Sequence, residues 1–76
     1  MPEPDPTATV EPEVWLAAFA AALGVDAPDV ATVDALLDLA GVAAHASART
    51  AAPIACYLVG RAGLDPAVAL DRAREV

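Results

Sequence analysis

The stretch TVDALLDLAGVAAHASARTAAPIACYLVGRAG, residues 32–63, decides the fold that the sequence predicts. Its apolar residues recur at three- and four-residue intervals, which is the spacing of a helix face, and no part alternates as a strand does. A turn near residues 50–52 is followed by Pro53, which suits the opening turn of a helix. We therefore predict a hairpin of two helices.

The first helix of this hairpin is predicted to begin with Thr32 as its N-cap and Asp34 in its first turn, where a carboxylate favours the positive helix end. It is expected to run to Arg49, and the second helix is expected to open at Pro53 and end near Gly63. The predicted core face of the first helix comprises Val33, Leu36, Leu37, Ala40, Ala44 and Ala48.

Two further helices are predicted on either side of the hairpin. Before it, Pro12 suits a first helical turn and Gly24 is placed to end the helix. After it, Asp65 followed by Pro66 is typical of an N-cap and the first helical position. We therefore expect an all-α fold, a small four-helix bundle with short connections, in one domain over residues 12–76.

The N-terminal residues differ in character from the rest of the chain. Residues 1–11, MPEPDPTATVE, combine three alternating prolines with acidic side chains and show no hydrophobic periodicity. Such a segment buries too little apolar surface to offset the entropy lost on ordering. We predict a disordered tail there.

The short length and apolar composition together indicate a partner. The chain has 76 residues, of which 58% are hydrophobic, yet a domain this small buries only about 60% of its unfolded surface. A single cysteine, Cys56, cannot form an internal disulfide, and one His with one Cys cannot build a structural zinc site. We expect stability to come from association with a larger protein, or from self-association.

The charge excludes some classes of partner. The net charge is −7, with four arginines and no lysine, whereas nucleic acids and anionic membranes are bound by basic patches. No apolar run reaches the roughly 20 residues that span a bilayer, and the acidic N-terminus does not resemble a signal peptide. We expect a cytoplasmic protein whose partner presents a basic surface.

The first predicted helix is the candidate interface. Its segment VWLAAFAAAL, residues 14–23, contains no polar side chain. A helix that is apolar all round is normally buried on several sides, which a small bundle cannot easily provide. The heavy face assigned to the interface comprises Trp15, Leu16, Phe19 and Leu23.

The turn of the hairpin gathers the chemically distinctive side chains. Arg49 lies where one helix ends and the next begins, so the free N–H groups near Ala51 and Ala52 would complete a corner that binds an acidic group. The residues assigned to this partner-binding or anion-binding corner are His45, Arg49, Pro53 and Tyr57.

The same side chains also have purely structural interpretations. Arg49 would cap the helix end and pair with an aspartate, while His45 would form a hydrogen bond to Tyr57 across the hairpin. Cys56 in an apolar context is typically an inert small side chain. Because no Gly-rich phosphate loop, metal-ligand cluster or oriented nucleophile is recognisable, we predict no catalytic residue, no metal and no cofactor.

Two segments carry a family likeness: VWLAAFAAALGV at residues 14–25 and LLDLAGVAAHASARTAAPIACYLVGRAG at residues 36–63. They resemble a small helical domain family of actinobacteria. The chain departs from that family at Gly41-Val42, where a charged pair is common, and at Cys56-Tyr57. The matching features are Trp15, residues 36–40, Ala44-His45, Arg49, residues 51–53 and residues 58–60.

The resemblance implies a context for function. Domains of that family occur fused to, or encoded beside, the molybdenum cofactor guanylyltransferase, and near formate dehydrogenase genes. It implies a noncatalytic subunit or adaptor that docks on a molybdenum enzyme of the formate dehydrogenase type, or on its cofactor-maturation machinery. The alternative is a binding module for a phosphate-bearing ligand such as the molybdopterin guanine dinucleotide.

Overall fold

The structure, a computed structural model, describes residues 10–76, so that most of the predicted disordered tail, residues 1–9, lies outside it. The described residues form four helices and no strand, which confirms the predicted all-α fold. The helices are α1 (Pro12–Leu23), α2 (Val30–Ala46), α3 (Ala51–Ala62) and α4 (Pro66–Ala73).

Glycine ends α1 as predicted. Gly24 has φ 76°, a left-handed conformation that costs glycine nothing because it has no Cβ. The Gly24 N–H donates to the carbonyl of Ala21, and the Val25 N–H donates to that of Ala20 at 3.0 Å. This pair of bonds is the Schellman arrangement, and it satisfies carbonyls that the helix end would leave without partners. Gly63, with φ 67°, ends α3 in the same backbone conformation.

The predicted start of α4 is also confirmed. The Asp65 carboxylate accepts a hydrogen bond from the Ala67 N–H at 2.8 Å, and Pro66 occupies the first helical position. At the other end, Arg72 lies in the last turn, where a cation complements the negative end of the helix. The helix is only eight residues long.

The predicted bounds of α2 were wrong at both ends. The helix begins at Val30, and Asp29 is its N-cap, accepting a hydrogen bond from the Thr32 N–H at 2.8 Å. Thr32 is therefore a donor within the first turn and not the cap itself. The helix ends at Ala46, so Arg49 lies outside it. Ser47 takes the C-cap position. Serine is less favourable inside a helix than at its ends, because its hydroxyl forms hydrogen bonds to nearby backbone groups.

The core is built around α2, which packs against both α3 and α4. Leu39 is its most buried side chain, at 2% exposure, and it packs with Ala69 and Leu70 of α4. On α3, the Cys56 thiol points at α2, where its Sγ lies 3.9 Å from the carbonyl oxygen of Leu36. Cys56 thus contributes to helix packing, as the structural interpretation of this residue expected.

The face of α2 that enters the core differs from the prediction. The predicted stripe omitted Leu39 and included Leu37, which is 65% exposed. Ala48 was also assigned to it, yet it is exposed and lies beyond the end of the helix. The other members of the stripe are half-buried; they are Val33, Leu36, Ala40 and Ala44. The core face is therefore rotated about the helix axis toward Leu39.

Helix α1 has little packing against the rest of the fold. Extensive contacts between described helices join α2 to α3 and α2 to α4, and none of comparable extent involves α1. The radius of gyration is 14.3 Å, whereas a compact domain of this length has one of about 11 Å. The molecule is correspondingly elongated, with extents of 47 × 27 × 18 Å. The four helices thus comprise a packed group of three and one sparsely packed helix.

The α2 cap gives the chain a pH-dependent component of stability. Hydrogen bonds from the Thr32 side chain and from its backbone N–H lower the pKa of Asp29 below its ordinary value of 3.8. A lowered folded-state pKa means that the contribution is present above pH 3.8 and is lost as the pH falls through the folded-state pKa. In Asp29→Asn the cap no longer titrates. We expect thermal unfolding to show the wild type losing its advantage over this variant below about pH 4; an advantage that persists there would contradict the assignment.

Candidate protein-interaction site

The apolar composition of α1 is the starting point of the site. From Val14 to Leu23 every side chain is apolar, so no orientation of this helix can present a polar face to water. Such helices are normally enclosed by neighbours. Here the enclosure is missing, because apart from Ala20 the residues of α1 are exposed.

The two aromatic side chains of α1 lie together on this exposed surface. The rings of Trp15 and Phe19 are stacked, with centroids 5.0 Å apart and planes at 28°. Their four-residue spacing places them on one side of the helix. Trp15 is 54% exposed and Phe19 is 47% exposed. Two adjacent half-exposed aromatic rings form an apolar patch of the kind that marks interaction sites.

The least exposed side chains of α1 are neighbours of this aromatic pair in the sequence. Ala20 is buried and Leu16 is the least exposed of the large side chains of α1, while Leu23 is exposed at the end of the helix. We call the surface formed by Trp15, Leu16, Phe19 and Leu23 the aromatic face. It is the set that the sequence predicted as the interface, and the structure leaves it accessible.

A second apolar surface lies between α2 and α3. It is a groove of about 550 Å³ that extends to the end of α4, and its lining is apolar except for Ser47 and Thr50. Ile54 and Leu58 line it from α3 and are largely exposed. Neither residue was predicted as part of a site, although their four-residue spacing places both on one helix face. We call this surface the α2–α3 groove.

The side chains of the predicted corner at the hairpin turn form no hydrogen bond with one another among residues 10–76. His45 and Tyr57 are both exposed, and no hydrogen bond joins them. His45 instead lines a shallow surface depression together with Asp38 and Arg74. Arg74 pairs with Asp71 at 3.9 Å, but ion pairs this exposed contribute little to stability.

Arg49 lies in the connection between α2 and α3, beside the exposed Pro53 in the first turn of α3. Its guanidinium forms no ion pair with any residue in the range 10–76. The neighbouring backbone amides are already used. The Ala51 N–H donates to the carbonyl of Ala48 at 2.8 Å, and the Ala52 N–H donates to that of Arg49 at 3.2 Å. These two amides therefore offer no free donors to an anion.

Metal ligands and membrane-spanning helices are two further features that bear on the choice of site. Within residues 10–76 the structure shows no group of three His, Cys, Asp or Glu side chains placed to hold a metal ion. Among the four helices described, none combines the length and apolarity that a bilayer span requires. The aromatic face and the α2–α3 groove are thus the two surfaces with the strongest claim to a binding role.

Comparisons with known proteins identify the family. No curated protein and no solved structure matches the chain. One family model does, and it covers residues 7–76, which include all four helices and both apolar surfaces. The family is described as a domain of unknown function. Since the match extends over nearly the whole sequence, the chain belongs to the DUF6457 family.

Proposed function

We propose that the chain is a noncatalytic protein-interaction module, a small subunit or adaptor that docks on a larger protein through the aromatic face. The observation that carries this proposal is the stacked Trp15–Phe19 pair, half-exposed on a helix with few contacts to the rest of the fold. Tryptophan and other aromatic side chains at the centre of an interface contribute most of its binding energy. Leaving both rings in water is costly unless a partner covers them.

The net negative charge of the chain supports a partner whose surface is basic around an apolar centre. The chain carries a net charge of −7, but no charged side chain lies between Val14 and Leu23 on α1. A partner with an apolar cleft and a basic rim would match this arrangement, because rim charges steer association while the buried centre supplies affinity. Arg49, exposed and without an ion pair among residues 10–76, is available to an acidic group of the same partner.

The resemblance of residues 14–63 favours a particular partner. It supports docking on a molybdenum enzyme of the formate dehydrogenase type, or on the machinery that matures its cofactor, in the cytoplasm. On this proposal the partner holds the cofactor and performs the chemistry. The chain contributes a docking element, which agrees with the occupied amides at the hairpin turn.

The test is affinity purification of the tagged chain from its native host under mild conditions. We expect one larger protein to be retained at a fixed stoichiometry, and we expect the purified complex to contain molybdenum if the partner is a loaded enzyme. A maturation protein would be retained without stoichiometric metal. Both results support docking, and the metal content distinguishes them.

The controls use matched substitutions. Phe19→Glu places a carboxylate on the aromatic face, while Val30→Glu adds the same charge at an exposed position of α2 outside that face. Glutamate is a good helix former, so neither change is expected to break its helix. Retention of the same proteins by both variants would contradict docking through the aromatic face.

A further inference from the structure

The chain carries two uncovered apolar surfaces, one on the outside of a helix and one that is concave. The aromatic face projects from a sparsely packed helix. The α2–α3 groove is concave, at about 550 Å³, a volume within the range of protein clefts that enclose ligands. A helix that lays an apolar face into an apolar groove is a recurrent mode of recognition.

The two surfaces also agree in length. Leu16, Phe19 and Leu23 follow the i, i+3, i+7 pattern of helices that bind in grooves, and they span about 10 Å of helix. The wall of the groove on α2 extends from Leu39 to Ser47, which is about 12 Å. The anchor residues of α1 therefore fit along the length of the groove.

Neither surface is lined by a charged side chain that would oppose this contact. The lining of the groove contains no charged side chain, and α1 has none between Val14 and Leu23. Pairing the two surfaces would bury apolar groups against apolar groups without desolvating an ion.

We infer that, in the absence of its partner, α1 of one copy lies in the α2–α3 groove of a second copy, and that the two copies exchange this contact reciprocally to form a symmetric dimer. The inference takes the aromatic face as the docking element, as in the proposed function, and identifies what covers that face in the free protein. A contact of this kind is isologous, so it closes at two copies.

The buried area is sufficient for such a dimer. Aromatic side chains bury 150–250 Å² each when fully covered, so the exposed halves of Trp15 and Phe19, with the exposed parts of Leu16 and Leu23, would bury roughly 400 Å², and the groove a similar area. Two reciprocal contacts then bury roughly 1,600 Å², which is the standard size of a specific interface. A single contact would bury half of that, so reciprocity accounts for the stability of the dimer.

The groove is better placed for a second copy than for α1 of the same chain. It lies toward the end of α2 that is remote from the connection at residues 24–29. Ser47, at the far end of α2, is about 25 Å along the axis from Val30, whereas α1 is about 18 Å long. A helix doubling back from the connection would leave the far part of the groove empty. A second copy has no such restriction.

The test combines sedimentation equilibrium with the fluorescence of Trp15, the only tryptophan in the chain. We expect the purified protein to be a dimer at high concentration, with the Trp15 emission shifting to shorter wavelength as the dimer forms. Trp15→Glu removes one surface and Leu58→Glu removes the other. Each is expected to raise the dissociation constant at least tenfold. Both positions are exposed, so both variants should retain their helical circular dichroism.

Mixing the two variants tests the pairing itself. Trp15→Glu has an intact groove and no tryptophan, while Leu58→Glu has an intact aromatic face. Excess Trp15→Glu should therefore shift the emission of Trp15 in Leu58→Glu, because one of the two contacts is restored. With Trp15→Glu at about 1 mM, where even a single weak contact is populated, a mixture whose emission does not change would overturn the pairing of α1 with the groove.

Other results would overturn the inference as clearly. A wild-type protein that stays monomeric at about 1 mM in sedimentation equilibrium excludes the dimer, whatever the emission wavelength of Trp15. If Val30→Glu also lost the dimer, the weaker dimerisation of Trp15→Glu and Leu58→Glu would be due to the added charge and not to the loss of the contact between α1 and the groove.

The failure of this inference is distinguishable from failure of the proposed function. Leu58→Glu should lose self-association and still capture the partner, because its aromatic face is intact. If no partner is captured by any variant while the wild type dimerises, the docking function fails and the dimer stands.

Discussion

Replacing Leu39 by alanine is expected to leave much of the chain unfolded at room temperature. Leu39 is 2% exposed at the contact of α2 with Ala69 and Leu70. Removing a buried leucine side chain costs about 2–5 kcal/mol, which includes the cavity left behind. A single core in a chain this short rarely supplies more than about 3–5 kcal/mol in total. The substitution therefore removes most of the stability.

Its matched control is Leu37→Ala, two residues away on the same helix. Leu37 is 65% exposed, and surface substitutions usually change stability by less than about 0.5 kcal/mol. Urea denaturation followed by circular dichroism, at concentrations where the chain is monomeric, gives the two free energies of unfolding. A larger loss for Leu37→Ala than for Leu39→Ala would contradict the observed orientation of α2.

Replacing Phe19 by glutamate is expected to abolish docking on the partner while leaving the fold intact. Phe19 stacks on Trp15 in the centre of the aromatic face, and aromatic residues in such positions contribute at least about 2 kcal/mol when truncated. That corresponds to about 30-fold in the dissociation constant. A carboxylate facing an apolar cleft adds a desolvation penalty to this loss.

The fold is expected to survive Phe19→Glu because α1 packs little against the other helices. Titration calorimetry with the purified partner measures the affinity, and thermal unfolding of the free variant measures its stability. Val30→Glu, on an exposed residue outside both apolar surfaces, should bind as the wild type does. Equal affinities for Phe19→Glu and the wild type would contradict docking through the aromatic face.

The helix ends that sequence reasoning predicted are those with a local cause. Gly24 and Gly63 adopt positive φ at the ends of α1 and α3, and Asp65 with Pro66 opens α4. In each case the residue acts on the backbone within a few positions, so its neighbours in the sequence are sufficient information.

The start of α2 was missed because two capping residues lie close together. Asp29 and Thr32 are both good N-cap residues. Asp29 is the N-cap in the structure, and the helix that it opens is about one turn longer than a helix capped by Thr32 would be. The hydrogen bond from the Thr32 N–H to the Asp29 carboxylate shows that Asp29 is the cap. Composition alone does not rank two such candidates.

The orientation of α2 could not be predicted because apolar residues occur all around this helix. Leu36, Leu37 and Leu39 point in three directions, and each could have faced the core. Leu39 is selected by the positions of α3 and α4, which depend on contacts distant in the sequence. The exposure of Leu37 follows from the same packing.

The four residues of the candidate interface are exposed in the structure, and their role as an interface remains a prediction. The apolar composition of α1 indicated a surface needing cover, and the structure adds that α1 has almost no neighbours to cover it. The hairpin corner was predicted from proximity in the sequence. In the structure α2 ends three residues before Arg49, and His45 lines a depression together with Arg74, the residue that follows α4.

The most direct test of docking through the aromatic face is quenching of Trp15 fluorescence by acrylamide in dilute solution, with and without the captured partner. In the free, monomeric chain Trp15 should be readily quenched, as its 54% exposure implies. Saturation with the partner should protect it several-fold, with no such protection for Phe19→Glu. A tryptophan already protected in the free monomer, or one quenched equally in the complex, would contradict the account.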